Sequence, residues 1–283
     1  MRACWGLAGG GVTGPPLRVC GHHATRGRIP EGGFRVRTTG KNPFGPFAHP
    51  VSAVAATSAW IALLLAFRSQ PQWDLAAAAA FFDSAACAAS PVASGQYCAG
   101  FTFSGLPFLA TVRQLLHPLP ALLGIGLMIV LAVELRAGLR WHNPGIRLKV
   151  VLIGALILGP GLIVNGILKA YWGRPRPWMT EDFGGWLPFV EAGTETDLCA
   201  SNCSFVSGEA AAAGWLMCLA LLLAIRRRFL AAAILGGGAI AMALLRVAFG
   251  AHYLSDALLG FFMTVVLFMM LAALSEWLAA RRS

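Results

Sequence analysis

The chain has 283 residues, of which 57% are hydrophobic and 12% charged, with a mean hydropathy of +0.68 and a formal charge of +10. Soluble domains carry about 25% charged residues, so a soluble enzyme of this length is excluded and a membrane protein is indicated. The cation excess would suggest nucleic acid in a soluble protein; here it fits the cationic cytoplasmic loops of membrane proteins, and no nucleic-acid partner is expected.

Residues 1–50 carry seven Lys or Arg against one acid, Glu31, with many glycines and no apolar periodicity. They read as a disordered, basic cytoplasmic tail ahead of a membrane domain over 51–283, and the pattern of a secretory signal peptide is not seen. Six apolar stretches follow, over 51–67, 119–135, 149–168, 208–225, 230–249 and 257–279. Each is near the roughly 20 residues a helix needs to cross a bilayer. The expected fold class is therefore all-α, a polytopic bundle of six transmembrane helices. The Ala-rich stretch 75–89 is too short to span and is bracketed by Asp74 and Asp83, so it is expected to lie on the surface as a helix.

Direction follows from Lys and Arg. With the N-terminus in the cytoplasm, sixteen cations fall inside and six outside: Arg68, Arg113, Lys169, Arg174, Arg176 and Arg246. Outside loops normally avoid cations, so these six need a reason. Cys87, Cys98, Cys199 and Cys203 all fall in outside loops, where disulfides persist. Four cysteines allow three pairings; Cys87–Cys98 with Cys199–Cys203 is favoured. No long repeat, Walker loop, dinucleotide fingerprint or zinc-type spacing occurs, and no metal or cofactor is expected.

Three clusters carry chemistry. Lys169 to Pro177 ends the third span, Ser204 to Glu209 starts the fourth, and Arg246 to Asp256 joins the fifth to the sixth. The topology places all three at one membrane surface. A phosphate monoester carries about two negative charges, and its transition state spreads charge over three equatorial oxygens. Lys169, Arg176 and Arg246 are cations suited to hold them, and Arg matches phosphate geometry with paired donors. Ser207 and Gly208 open a helix whose free N–H groups favour an anion. His252 is the expected nucleophile. Asp256, four residues on, shares a helical face with it if the helix starts there, and would fix its tautomer.

The pattern Lys-x6-Arg-Pro, then Ser-Gly, then Arg-x5-His-x3-Asp resembles the type 2 phosphatidic acid phosphatase and haloperoxidase superfamily. The match runs from Lys169 to Asp256 and the six-span layout extends it over most of the chain. The resemblance implies a helical core, a phosphohistidine mechanism and no required metal. It assigns phosphate binding to Lys169, Arg176, Ser207, Gly208 and Arg246, attack to His252, and orientation of His252 to Asp256. Two departures stand out. Leu245 replaces the Ser before the third-motif Arg, losing a minor phosphate contact. Glu209 replaces the second-motif His that protonates the leaving oxygen, and it is a general acid only if protonated when substrate is bound. The run Asn202 to Ala210 is similar to a bacterial subgroup that carries Glu here.

The expected substrate is a membrane lipid phosphate, met in the bilayer of a bacterial inner membrane with the site facing the periplasm. Phosphatidic acid, phosphatidylglycerol phosphate, undecaprenyl pyrophosphate and lipid A phosphate all fit. The alternatives are a non-catalytic lipid-phosphate binder, marked by Glu209, and a lipid phosphotransferase. The residues say nothing of oligomeric state.

Overall fold

The computed structural model describes residues 42–90 and 97–281. In chain order the helices are α1 (Pro50–Ser69), α2 (Gln72–Ala79), α3 (Ser84–Ala89), α4 (Pro107–Arg136), α5 (Pro144–Tyr171), α6 (Gly208–Ile225), α7 (Phe229–Ala248) and α8 (Leu254–Arg281). Among the described residues there are no strands, only an isolated bridge between Thr180 and Leu187. Six of the helices, α1 and α4 to α8, are long and apolar enough to cross a membrane. The chain is a multi-pass membrane protein.

Start signals in the sequence set the helix ends. Pro50 and Pro144 sit in the first turns of α1 and α5, where a missing N–H costs nothing. The Asn143 side chain accepts from the Gly145 amide at 2.7 Å and the Ser207 hydroxyl accepts from Ala210 at 3.3 Å. Pro160 lies in a stretch of α5, Ile157–Leu168, wound as a π-helix. The proline has no N–H to give the ladder, and the Asn165 side chain donates to its carbonyl at 2.6 Å.

α6 lies at the centre and is packed by small residues. Its Ala210, Ala211, Ala213 and Gly214 are buried. A Cβ on Gly214 would strike the Phe261 carbonyl, so glycine lets α8 approach this closely. Indole donors tie neighbouring spans: Trp215 Nε1 to Leu152 O at 2.7 Å, and Trp60 Nε1 to Leu259 O at 2.9 Å. Large apolar side chains such as Val54, Leu65, Leu122 and Ile129 are exposed on α1 and α4, as helices solvated by lipid require.

Three expectations need correction. Of the basic tail, residues 1–41 lie outside the described residues, but its last nine are structured. Gly45–Ala48 form a 3-10 turn and Phe44 is fully buried, edge-on to Phe268 with ring centroids 6.2 Å apart. Apolar rings spaced among turn formers carry no periodicity, which hid this contact. The second span, whose helix Leu119–Arg136 starts where expected, is extended backwards by a helix over Pro107–Leu116 that carries Arg113 and Gln114, with only a turn at His117 and Pro118 between them. Stretch 75–89 is two helices broken after Ala79, and it is not merely superficial, for Asp74 and Ala78 are fully buried. The favoured pairing Cys87–Cys98 and Cys199–Cys203 is present, and Cys218 is free and buried.

Candidate active site

The three sequence clusters meet at one end of the bundle. His252 lies in the turn between α7 and α8 and is 1% exposed. Its Nδ1 is 2.8 Å from the Ser204 carbonyl, which only accepts, so Nδ1 carries the hydrogen and Nε2 keeps its lone pair. Burial pushes the imidazole pKa well below 6.5, and Arg246, Arg176 and Lys169 push it the same way. The ring is therefore neutral, with a nucleophilic nitrogen at neutral pH.

The direct pairing of His252 with Asp256 expected from their spacing is not present. α8 begins at Leu254, so His252 is not on that helix and the i,i+4 argument does not apply. The Ser204 hydroxyl stands between them: it donates to Asp256 Oδ2 at 2.5 Å and lies 3.5 Å from His252 Nδ1. Asp256 also accepts from the Tyr253 amide at 3.1 Å. Ser204 thus links the two, its hydroxyl facing Asp256 and its carbonyl facing the imidazole.

The three expected phosphate cations flank this histidine. Arg176 is anchored on Asn202, with Nε and Nη2 donating to its carbonyl at 3.0 and 2.7 Å and Nη2 also reaching its Oδ1 at 2.7 Å. Arg246 is 8% exposed, and its Nε has no hydrogen-bond partner among the described residues. A buried, unsatisfied guanidinium donor is a place for an anion. Lys169 lines a cavity of about 220 Å³ together with Gly208, Glu209 and Asn165. At the start of α6 the Ser207 amide is spent on the Asp256 carbonyl at 3.0 Å. The first helical amides, Gly208 and Glu209, have no partner inside the helix. A Cβ on Gly208 would lie 2.6 Å from Asn165 Oδ1, so a larger residue would displace the Asn165 side chain.

Glu209 is not alone with the phosphate cations. Arg113 on α4 forks it, Nε to Oε2 at 3.1 Å and Nη2 to Oε1 at 2.6 Å, while Arg246 Nη1 stands 3.4 Å from Oε1. A bidentate guanidinium is the partner of an ionised carboxylate. Glu209 is thus the counter-ion of the cations, an arrangement that opposes its holding a proton.

Sequence reasoning also missed a fully buried ion network beneath the histidine. Arg174 Nη1 donates to Asp256 Oδ1 at 2.7 Å and its Nη2 donates to Asp74 Oδ2 at 2.8 Å, with all three side chains at 0% exposure. Arg174 was legible as a cation out of place, and Asp74 as an acid at the edge of an apolar stretch, but nothing in the sequence joined them. Among the described residues no group of three or more His, Cys, Asp or Glu gathers as a metal site.

The sequence is similar to those of known proteins. The family model described as the PAP2 superfamily matches residues 148–279, which hold every motif residue above. A protein of Rhizobium leguminosarum named lipid A 4'-phosphatase is 42% identical over 219 residues, 77% of this chain and 93% of its own. A protein of the same name from Rhizobium etli is 42% identical over 222 residues, 77% of this chain and 84% of its own. One from Francisella tularensis subsp. novicida is 43% identical over 105 residues, 36% of this chain and 46% of its own. No solved structure matches. On the identity across most of the chain, and on a site in which all three motifs converge around one neutral histidine, the protein belongs to the PAP2 superfamily.

Proposed function

We propose that this protein is a phosphatase that hydrolyses a phosphate monoester of a lipid A-type glycolipid through a phosphohistidine intermediate. Nε2 of His252 attacks phosphorus, the P–O bond to the sugar breaks, and the alkoxide leaves with a proton. Water then attacks the phosphohistidine, the P–N bond breaks, inorganic phosphate is released and His252 is restored. Lys169, Arg176, Arg246, the Ser207 hydroxyl and the Gly208 amide hold the equatorial oxygens. Glu209 passes the proton, giving it to the alkoxide and regaining it from the water; the first transfer requires a protonated carboxyl with substrate in place, which the Arg113 fork resists. The observation that carries this reading is the fixed tautomer of His252, its free nitrogen set among three cations. The relatives' shared name supplies the lipid A class of substrate.

The site is proposed to face the periplasm from the bacterial inner membrane. The sixteen-to-six distribution of cations supports that orientation, as do the two disulfides on the side of the site.

The test is release of inorganic phosphate from lipid A, and from phosphatidic acid for comparison, by purified protein in detergent with EDTA present. Wild type is expected to release phosphate and to yield an acid-labile phosphoprotein on rapid quenching; His252→Ala is expected to do neither while inserting normally. Activity of the variant above about a tenth of wild type would remove His252 as nucleophile. Binding without turnover by wild type would favour a lipid-phosphate binder, and transfer of label to a second lipid a phosphotransferase.

A further inference from the structure

Resting on the phosphatase reading, we propose that Asp74 is a positioning residue of the active site, a clamp from α2 that fixes the His252–Asp256 turn through Arg174 and Ser255. No motif includes it. It lies 181 residues from Ser255 and touches neither the histidine nor the phosphate cations.

Four contacts define the clamp. Asp74 Oδ1 accepts from the Ser255 amide at 2.8 Å, and Oδ2 accepts from the Ser255 hydroxyl at 2.6 Å and from Arg174 Nη2 at 2.8 Å. Arg174 Nη1 donates to Asp256 Oδ1 at 2.7 Å. Ser255 is in the first turn of α8, whose amides lack intrahelical partners. Asp74 therefore supplies from a distant element what a local cap supplies elsewhere, an anion at a helix N-terminus. Its hold is on the residue next to Asp256.

The guanidinium of Arg174 leaves no room for slack. Nε donates to the Val190 carbonyl at 2.8 Å, Nη1 is shared between Ser255 Oγ and Asp256, and Nη2 belongs to Asp74. Its carbon sits 4.4 Å over the Tyr253 ring and 5.6 Å from the Phe189 ring. With all three nitrogens committed, the guanidinium presents one fixed donor to Asp256 Oδ1. The other oxygen, Oδ2, is thereby aimed at the Ser204 hydroxyl, and the Ser204 carbonyl fixes the imidazole. Neutralising Asp74 orphans Arg174 Nη2 and weakens both acceptors of Ser255. Asp256 then loses its single orientation, and His252 its single tautomer. A solely structural Asp74 would support folding and leave the chemistry of folded molecules untouched.

The test is Asp74→Asn, which keeps size and one acceptor and removes the charge. Outer hydrogen-bond partners of reacting groups are worth about tenfold to a hundredfold. The rate of phosphoenzyme formation is expected to fall by about that factor with KM within about twofold of wild type. In the double variant with Asp256→Asn the two losses should not multiply, because both act on one linkage. An independent readout needs no turnover: 15N spectra of histidine-labelled protein in detergent should show His252 Nδ1 protonated in wild type and a mixture of tautomers in Asp74→Asn. A folded Asp74→Asn protein with wild-type phosphoenzyme formation and an unmixed tautomer overturns the proposal, as do losses that multiply. If the Asn variant fails to insert, Ser255→Ala serves instead. It keeps the carboxylate and removes one bond, and should slow the same step about threefold to tenfold; an unchanged rate there is equally fatal. Failure of wild type to release phosphate would instead sink the phosphatase reading, while the tautomer comparison still decides the role of Asp74.

Discussion

Replacing Glu209 by Gln separates proton transfer from charge balance. The carboxylate accepts a fork from Arg113 and faces Arg246. Gln keeps one acceptor oxygen and turns the other into a donor that meets guanidinium hydrogens. One charge-assisted bond, worth about 1.5–3 kcal/mol where fully buried, is lost, but Arg113 is 36% exposed and water recovers part of it. The same change removes a negative charge beside the phosphate, which carries about two of its own. Binding is thus not weakened, and KM for a lipid phosphate should stay level or fall. The chemical step behaves differently. An amide cannot protonate a departing alkoxide, and general acid catalysis is worth about a hundredfold to ten-thousandfold. The expected result is a fall of that size in the rate of phosphoenzyme formation from lipid phosphate and of less than about tenfold from p-nitrophenyl phosphate, whose leaving group needs no proton. Rapid-quench measurement of phosphoenzyme formation with both substrates measures it, because the water step that follows is common to both. Equal losses on the two substrates, or none on either, would refute the acid role and leave Glu209 only as counter-ion to Arg113 and Arg246.

Two further outcomes follow from orientation and burial. A reporter inserted within residues 184–197 should behave as external and one fused after Ser283 as cytoplasmic; the reverse would overturn the topology. The depressed pKa of His252 links stability to pH. The unfolded chain takes a proton at about 6.5 while the folded ring stays neutral, so stability is lost as pH falls below about 6.5, by at most about 1.4 kcal/mol per pH unit. The thermal midpoint of His252→Gln should therefore decline less between about pH 7.5 and about pH 5.5, a window that spans the roughly 6.5 of free histidine, than that of wild type. Parallel declines would show that His252 is not held neutral.

The spans and the motif residues were legible because each is local. Hydropathy marks a helix within one window, and the loop cations order the windows into a topology that brings Lys169, Ser207 and His252 to one end. What was not legible is non-local or local in the wrong sense. Arg113 fell outside its span because Gln114, His117 and Pro118 interrupt the apolar window, although a further helix, Pro107–Leu116, lies just one turn ahead of Leu119. The His252–Asp256 spacing suggested a shared helical face, but Gly250, at φ +63, turns the chain and α8 starts after the histidine. Ser204 stood in view within the second cluster, yet its role depends on where its carbonyl points, which no side-chain pattern encodes. Asp74 and Arg174 meet across 100 residues, and only the folded chain puts them 2.8 Å apart.

The order of synthesis gives this last contact a further meaning. Asp74 is made before any motif residue, and Ser255, which it must cap, comes near the end of the chain. Until α8 has inserted, Arg174 lacks one of its two carboxylates and the helix start lacks its anion. A buried guanidinium in that state is strongly unfavourable. The active site can close only after the last span is in place, so a chain that stalls or inserts incompletely is left with an open polar centre instead of a half-working enzyme.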